Sequence, residues 1–228
     1  MKKLIFINIL IFLSITYAQT FQIEKLSGSV KILNGSDNSW HELKANTRVE
    51  SNAIISTDKN SFVKLKGNGI SFTLKESSAI SISNIKQMSV DELLLALAME
   101  NIINTPRKKS NDKSGSTAVY GADEQKKEVE INKLSDMGIK RLNGAKQLAE
   151  NGMKESAIVT AMEVYRKYPE TKKSADNRIY FADLLFEKGL YEEAHDEFSS
   201  IKSLQLSDSQ KTYVEGKLDQ IEKKLLTK

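Results

Sequence analysis

The sequence predicts two folded parts of different class in one chain: an all-β region of antiparallel strands, then an all-α region. Three observations predict it. Apolar residues recur with a period of two in the first part and with a helical period in the last. A polar, aperiodic stretch separates the two. Inside the helical part, glycine and alanine recur together at a fixed offset, Gly152 with Gly189 and Ala157 with Ala194. The resulting organisation is a leader over 1–18, a β domain over 19–87, a short helix and flexible linker over 88–123, and helical repeats with a capping helix over 124–228.

Composition narrows the function classes. The 228 residues are 39% apolar and 28% charged, as in ordinary soluble folds. The chain has no cysteine, which excludes structural disulfides, thiolate metal ligands, a thiol nucleophile and a lipidated cysteine. The two histidines, His41 and His195, fall in different parts, too few and too far apart for a zinc site or a catalytic triad. The formal charge is +4; without Lys2 and Lys3 it is +2, which gives no case for nucleic acid.

Residues 1–20 read as an export signal. Lys2 and Lys3 form a basic start, Leu4 to Ile15 an apolar run, and Thr16-Tyr17-Ala18 a cleavage region, which places the mature start at Gln19. The run is shorter than the ~20 residues that span a bilayer, and no later segment is long and apolar enough to span. Retention of the run as an uncleaved anchor is the alternative; in both cases the remainder is exported to the periplasm or cell envelope.

Through the β region, Val30 and Ile32, Ile70, Phe72 and Leu74, and Ile80 and Ile82 alternate with polar neighbours. That pattern sets one strand face on a core and the other in water. Asn34-Gly35, Asp58-Lys59-Asn60 and Gly67-Asn68-Gly69 punctuate the runs, the last between two apolar strands as in a hairpin. Closely spaced short strands without helices between them predict an antiparallel sandwich or barrel-like sheet. Trp40, the one tryptophan, is expected in the core, with stacking on a sugar as the alternative.

The order Leu26-Ser27-Gly28-Ser29-Val30, Trp40, Leu43, Ala53-Ile54-Ile55-Ser56-Thr57, Phe62-Val63-Lys64-Leu65, Gly69 to Leu74 and Ser78-Ala79-Ile80 resembles a FecR-type domain. The resemblance implies a β fold in the cell envelope. Family members of the best-known kind carry a cytoplasmic anti-sigma segment ahead of a membrane helix. This sequence shows none before its apolar run, so the resemblance is not expected to bring that role.

Ser89 followed by Asp91 and Glu92 starts a short helix, with Leu93, Leu94, Leu97 and Ala98 on a face expected to pack against the β domain. Thr105-Pro106 ends it. Arg107 to Asp123 is expected to be a linker, with a basic run at Arg107-Lys108-Lys109 and an apolar patch, Thr117 to Gly121, that could dock as an edge strand.

From Glu124, Ile131, Leu134, Gly138, Leu142, Ala145 and Ala149 mark one helix, stopped by Asn151-Gly152. Ala157, Ala161, Val164, Tyr165 and Tyr168 line the next, closed by Pro169. The design returns with Ile179, Ala182, Leu185 and Phe186, a stop at Lys188-Gly189, then Ala194, Phe198 and Ile201. A last helix follows Ser207, with Val214, Leu218, Ile221 and Leu225 as its stripe. The motif Gly189, Tyr191, Ala194, Phe198 in one unit and Gly152, Ala157, Pro169 in the other resembles tetratricopeptide repeats. The resemblance implies a concave groove for a protein or peptide. The first helix of each unit is expected to carry its contacts, with Lys140, Arg141, Asn177 and Tyr180 the candidates.

The carboxylates Asp136, Glu155, Glu192 and Glu193 read as solvated helix faces, and no phosphate loop, dinucleotide fingerprint or nucleophile elbow is present. The expected protein is therefore non-enzymatic, without cofactor or metal. Its expected partner is an envelope protein or peptide held by the repeats. The alternative is a module that binds cell-wall glycan or surface polysaccharide through the β domain.

Overall fold

The computed structural model describes residues 20–35, 37, 39–104 and 124–227, the side chains of 101, 104 and 124–135 excepted. The export signal, the linker with its basic run and apolar patch, and the inward placement of Ile131 and Leu134 all lie outside the described residues.

Among the described residues eight strands come first: β1 (Thr20–Ser27), β2 (Val30–Leu33), β3 (His41–Glu42), β4 (Arg48–Glu50), β5 (Ile54–Thr57), β6 (Phe62–Gly67), β7 (Ile70–Leu74) and β8 (Ser78–Ser81). They form two antiparallel four-stranded sheets, ordered β4-β1-β6-β7 and β3-β2-β5-β8. Alternation decides which side of each sheet is inward. Phe21, Ile23, Val63, Leu65, Phe72 and Leu74 of one sheet and Val30, Ile32, Ile55 and Ile80 of the other are buried between them. On the solvent side of the first sheet, Glu24 sits at a register shift of β1 and pairs with Lys64 at 3.0 Å. The hairpin between β6 and β7 is a two-residue turn whose Asn68 and Gly69 have φ of 50° and 74°, the type I′ geometry that matches strand twist.

Among the described residues six α-helices follow: α1 (Val90–Asn104), α2 (Glu124–Glu150), α3 (Lys154–Lys167), α4 (Ala175–Glu187), α5 (Tyr191–Ile201) and α6 (Asp208–Leu226). The 37-residue offset is written into the backbone. Gly152 and Gly189 take φ of 80° and 75°, and at both places the next residue donates back to the helix it leaves, Met153 to Leu148 and Leu190 to Leu185. These are paired Schellman stops, each burying the apolar residue after the glycine. Ala157 and Ala194 are fully buried at equivalent places, and Phe198 in the second unit occupies the core position that Ala161 holds in the first. A 3-10 turn, Pro169–Lys173, joins the two units. Ser207 caps α6 through a reciprocal pair of bonds with Gln210.

The two parts share one continuous apolar core. α2 lies across β8, and Gly144 makes this approach possible: a Cβ there would fall 2.1 Å from the Ala79 carbonyl oxygen. Polar residues of the same helix face finish the contact. Asn143 donates to the Ser77 carbonyl at 2.8 Å. Gln147 accepts from the Lys75 N–H and donates to the Ser78 hydroxyl, both at 2.7 Å. α2 thereby covers the edge that β8 would otherwise leave open.

Ser78, Ala79 and Ile80 are all buried, because the outer side of β8 faces α2 rather than water. Two sequence expectations are overturned. The last strand stops at Ser81, and Ile82 enters a short 3-10 turn under the helices. α1 packs along α3 rather than on the β sandwich.

Candidate functional site

α1 carries apolar residues on more than one side, with Leu93 and Leu97 on one and Leu95, Met99 and Ile102 on another, interrupted by Asp91, Glu92 and Glu100. Its start is firmly fixed: the Ser89 hydroxyl accepts from the Glu92 N–H, and the Glu92 carboxylate accepts from the Ser89 N–H at 2.8 Å. One side is anchored on α3 by Leu93, fully buried, by the half-buried Leu97, and by Arg166, which donates to both oxygens of Glu100 at 2.7 and 3.3 Å. The other side has no cover among the described residues. Leu95 is 64% exposed and Ile102 74% exposed, with Leu94, Met99 and Ile103 beside them. Of the four residues expected to share a packed face, Leu93 and Leu97 pack while Leu94 and Ala98 face outward.

Beside this face, a cleft of about 450 Å³ lies between α1, α3, α4 and α5. Two ion pairs flank it, Arg166–Glu100 and Arg178–Glu197, the second at 2.6 Å. The Tyr165 hydroxyl lies buried at this cleft and lacks a hydrogen-bond partner. Burial, with the Glu197 charge nearby, pushes its pKa far up, so Tyr165 stays a neutral donor. The free donor suits a neutral carbonyl from an incoming segment, since Glu100, Glu193, Asp196 and Glu197 line the cleft. Among the described residues no group of three or more His, Asp or Glu is placed to hold a metal ion.

The candidates named from the sequence fall into two groups. Lys140 and Arg141 contact the chain's own β region instead of an open groove: Lys140 reaches Asp58 at 2.7 Å, and Arg141, 3% exposed, donates to the Ser81 hydroxyl at 3.0 Å. They were expected on an inner groove face, but that face of α2 is the one that docks on the sandwich. Asn177 is buried in the first turn of α4, where its N–H donates to the N-cap Ser174. Tyr180 is half-buried and carries Lys146 of α2 over its ring at 5.4 Å. Tyr180 thus remains on an accessible face that α2 and α4 share. Farther along α4, Asp183 receives both Lys217 and the Tyr213 hydroxyl of α6 at 2.8 Å, which joins the last helix to α4.

No family model, curated protein or solved structure matches this chain.

Trp40 also departs from its expected place in the core. It is 37% exposed, outside the sandwich core, at the rim of a cleft between the sheet and α2. Sequence reasoning missed the open side of α1, although its run of Leu93-Leu94-Leu95, Leu97, Met99, Ile102 and Ile103 has too many apolar residues for one packed face. That excess was the available signal.

Proposed function

We propose that this chain is an exported, non-enzymatic interaction protein of the cell envelope. Its FecR-type β domain and tetratricopeptide-like repeats form one supporting body for a protein partner. The observation that carries the reading is the apolar face of α1 that no described residue covers, on a helix held by its Ser89–Glu92 cap and the Arg166–Glu100 clamp. Contiguous exposed apolar surface of this kind on a soluble protein marks an association site. The partner presents a complementary apolar helix or strand, with a polar group for Tyr165 in the adjoining cleft. The paired glycine stops and buried alanines at a 37-residue offset support the repeat reading, and the apolar run after Lys2-Lys3 supports export.

The test uses the chain from Gln19 expressed with a tag in the host envelope, crosslinked, with co-purifying proteins identified by mass spectrometry. A protein captured by the parent chain is lost from Leu95→Glu/Ile102→Glu and kept by Lys31→Ala, a change far from α1. Equal capture by all three would overturn the reading.

A further inference from the structure

The side of the β3-β2-β5-β8 sheet that faces away from the sandwich core is not a solvated strand face. Its outward residues on β2 and β5 are Lys31, Leu33, Ile54 and Ser56, and Leu33 pairs directly with Ile54, Lys31 with Ser56. Two apolar side chains therefore sit side by side where an antiparallel sheet open to water would carry polar ones. Trp40, just before β3, bounds them on one side, and Lys140 and Arg141 of α2 bound them on the other. Together they enclose a cleft of about 940 Å³, inside the ~300–1,000 Å³ range of ligand pockets.

The charges at its wall are already matched. Asp58 pairs with Lys140 at 2.7 Å and Lys31 at 3.7 Å, and Arg141 lies 3.4 Å from Glu163. Asp136, also at the wall and 4.0 Å from Lys140, brings the count to three carboxylates against Lys31, Lys140 and Arg141, so no excess of either sign remains for a phosphate or a uronate. One polar group is unfulfilled: the Nε–H of Arg141 is buried and has no acceptor. A buried donor in this state loses hydrogen-bond energy that a ligand oxygen restores.

We infer that this cleft binds a neutral saccharide bearing acetamido groups. A pyranose stacks its C–H face on the Trp40 indole, the acetamido methyl packs on Leu33 and Ile54, and its carbonyl accepts from Arg141 Nε. A nucleotide would fit the aromatic ring but needs unpaired cations for its phosphates, which Lys31 and Lys140 do not supply. This site is separate from the α1 face, so either can fail alone.

Trp40 is the sole tryptophan, so indole fluorescence reports on this cleft alone. The chain from Gln19 is titrated with the tetramer of N-acetylglucosamine, a glucose tetramer and a uronate tetramer, with calorimetry in parallel. The expected result is a saturable emission shift with the acetamido sugar and not with the other two. Its affinity should fall about tenfold in Trp40→Ala, the loss of one aromatic stack, and be largely kept in Trp40→Phe and in Leu95→Glu/Ile102→Glu. No response to the acetamido tetramer, equal response to all three sugars, or unchanged affinity in Trp40→Ala with an unaltered melting profile would each overturn the assignment.

Discussion

Gly144 of α2 touches Ala79 of β8 so closely that a side chain on the glycine has nowhere to go: its Cβ would sit 2.1 Å from the Ala79 carbonyl oxygen and 3.6 Å from the Ile80 side chain. The obstacle is backbone, which cannot rotate aside as a flexible side chain would. Gly144→Ala must therefore push the helix off the strand and should cost about 2–3 kcal/mol, the range of an overpacked core. The same change at an α-helical glycine with open space around it, Gly216→Ala, should stabilise by a few tenths to ~1 kcal/mol. Urea denaturation of the two variants measures both, and opposite signs are expected.

Gln147 gives the second prediction. Its amide satisfies the Lys75 N–H and the Ser78 hydroxyl at once, in a site where Gln147 is 6% exposed. Gln147→Ala leaves a backbone donor without an acceptor and should lower stability by about 1–3 kcal/mol. Hydrogen exchange should locate the loss at β8 and the Lys75 amide, with α5 and α6 less affected.

Acid should act on the same docking surface. Hydrogen bonds from Lys140 and Ser29, with the Lys140 and Lys31 charges, hold the Asp58 carboxyl below the usual range. At Glu163, burial pushes the pKa up, but the Lys167 hydrogen bond and the Arg141 and Lys167 charges outweigh it, so the net shift is also downward. A carboxylate whose folded pKa lies below its unfolded one contributes in full above the unfolded value, near 4, and loses that contribution as pH falls through the folded value. Stability should therefore be level near neutrality and fall below about pH 4. In Asp58→Asn the fall should be shallower. Denaturation midpoints between neutrality and pH 3 check the sign.

At Gly189, φ of 75° places any other L-residue in the left-handed region, while the space around it is open. Gly189→Ala should lose about 1–2 kcal/mol from backbone strain alone. Leu95→Glu, by contrast, removes no packed contact and should change stability by less than ~0.5 kcal/mol while weakening partner capture. Thermal melts of the two, side by side, separate a structural glycine from a functional leucine.

Much of this architecture was legible in the residues because it rests on local patterns. Phe72 and Leu74 declare a half-buried strand by alternation, Asn68-Gly69 declares its turn, and Gly152 with Gly189 declares two equivalent helix stops. The union of the two parts was not legible, because no period encodes it. Lys140, Asn143 and Gln147 look like a solvated face, yet they are the polar groups that complete hydrogen bonds to a strand edge. The available sign was a glycine set among polar residues at helical spacing, Lys140, Asn143, Gly144 and Gln147. Trp40 escaped for a related reason: the aromatic precedes a strand of only two residues, His41–Glu42, too short for alternation to assign its side.

The central claim is that the open face of α1 holds a protein. A photo-activatable aromatic placed at position 99 of the 228-residue chain tests it most directly, with position 222 on the exposed side of α6 as the control. Illumination of intact cells should give a discrete protein adduct from position 99 and none from 222, and Leu95→Glu/Ile102→Glu in the same chain should abolish it. An adduct formed equally from both positions, or only lipid adducts from position 99, would contradict the account.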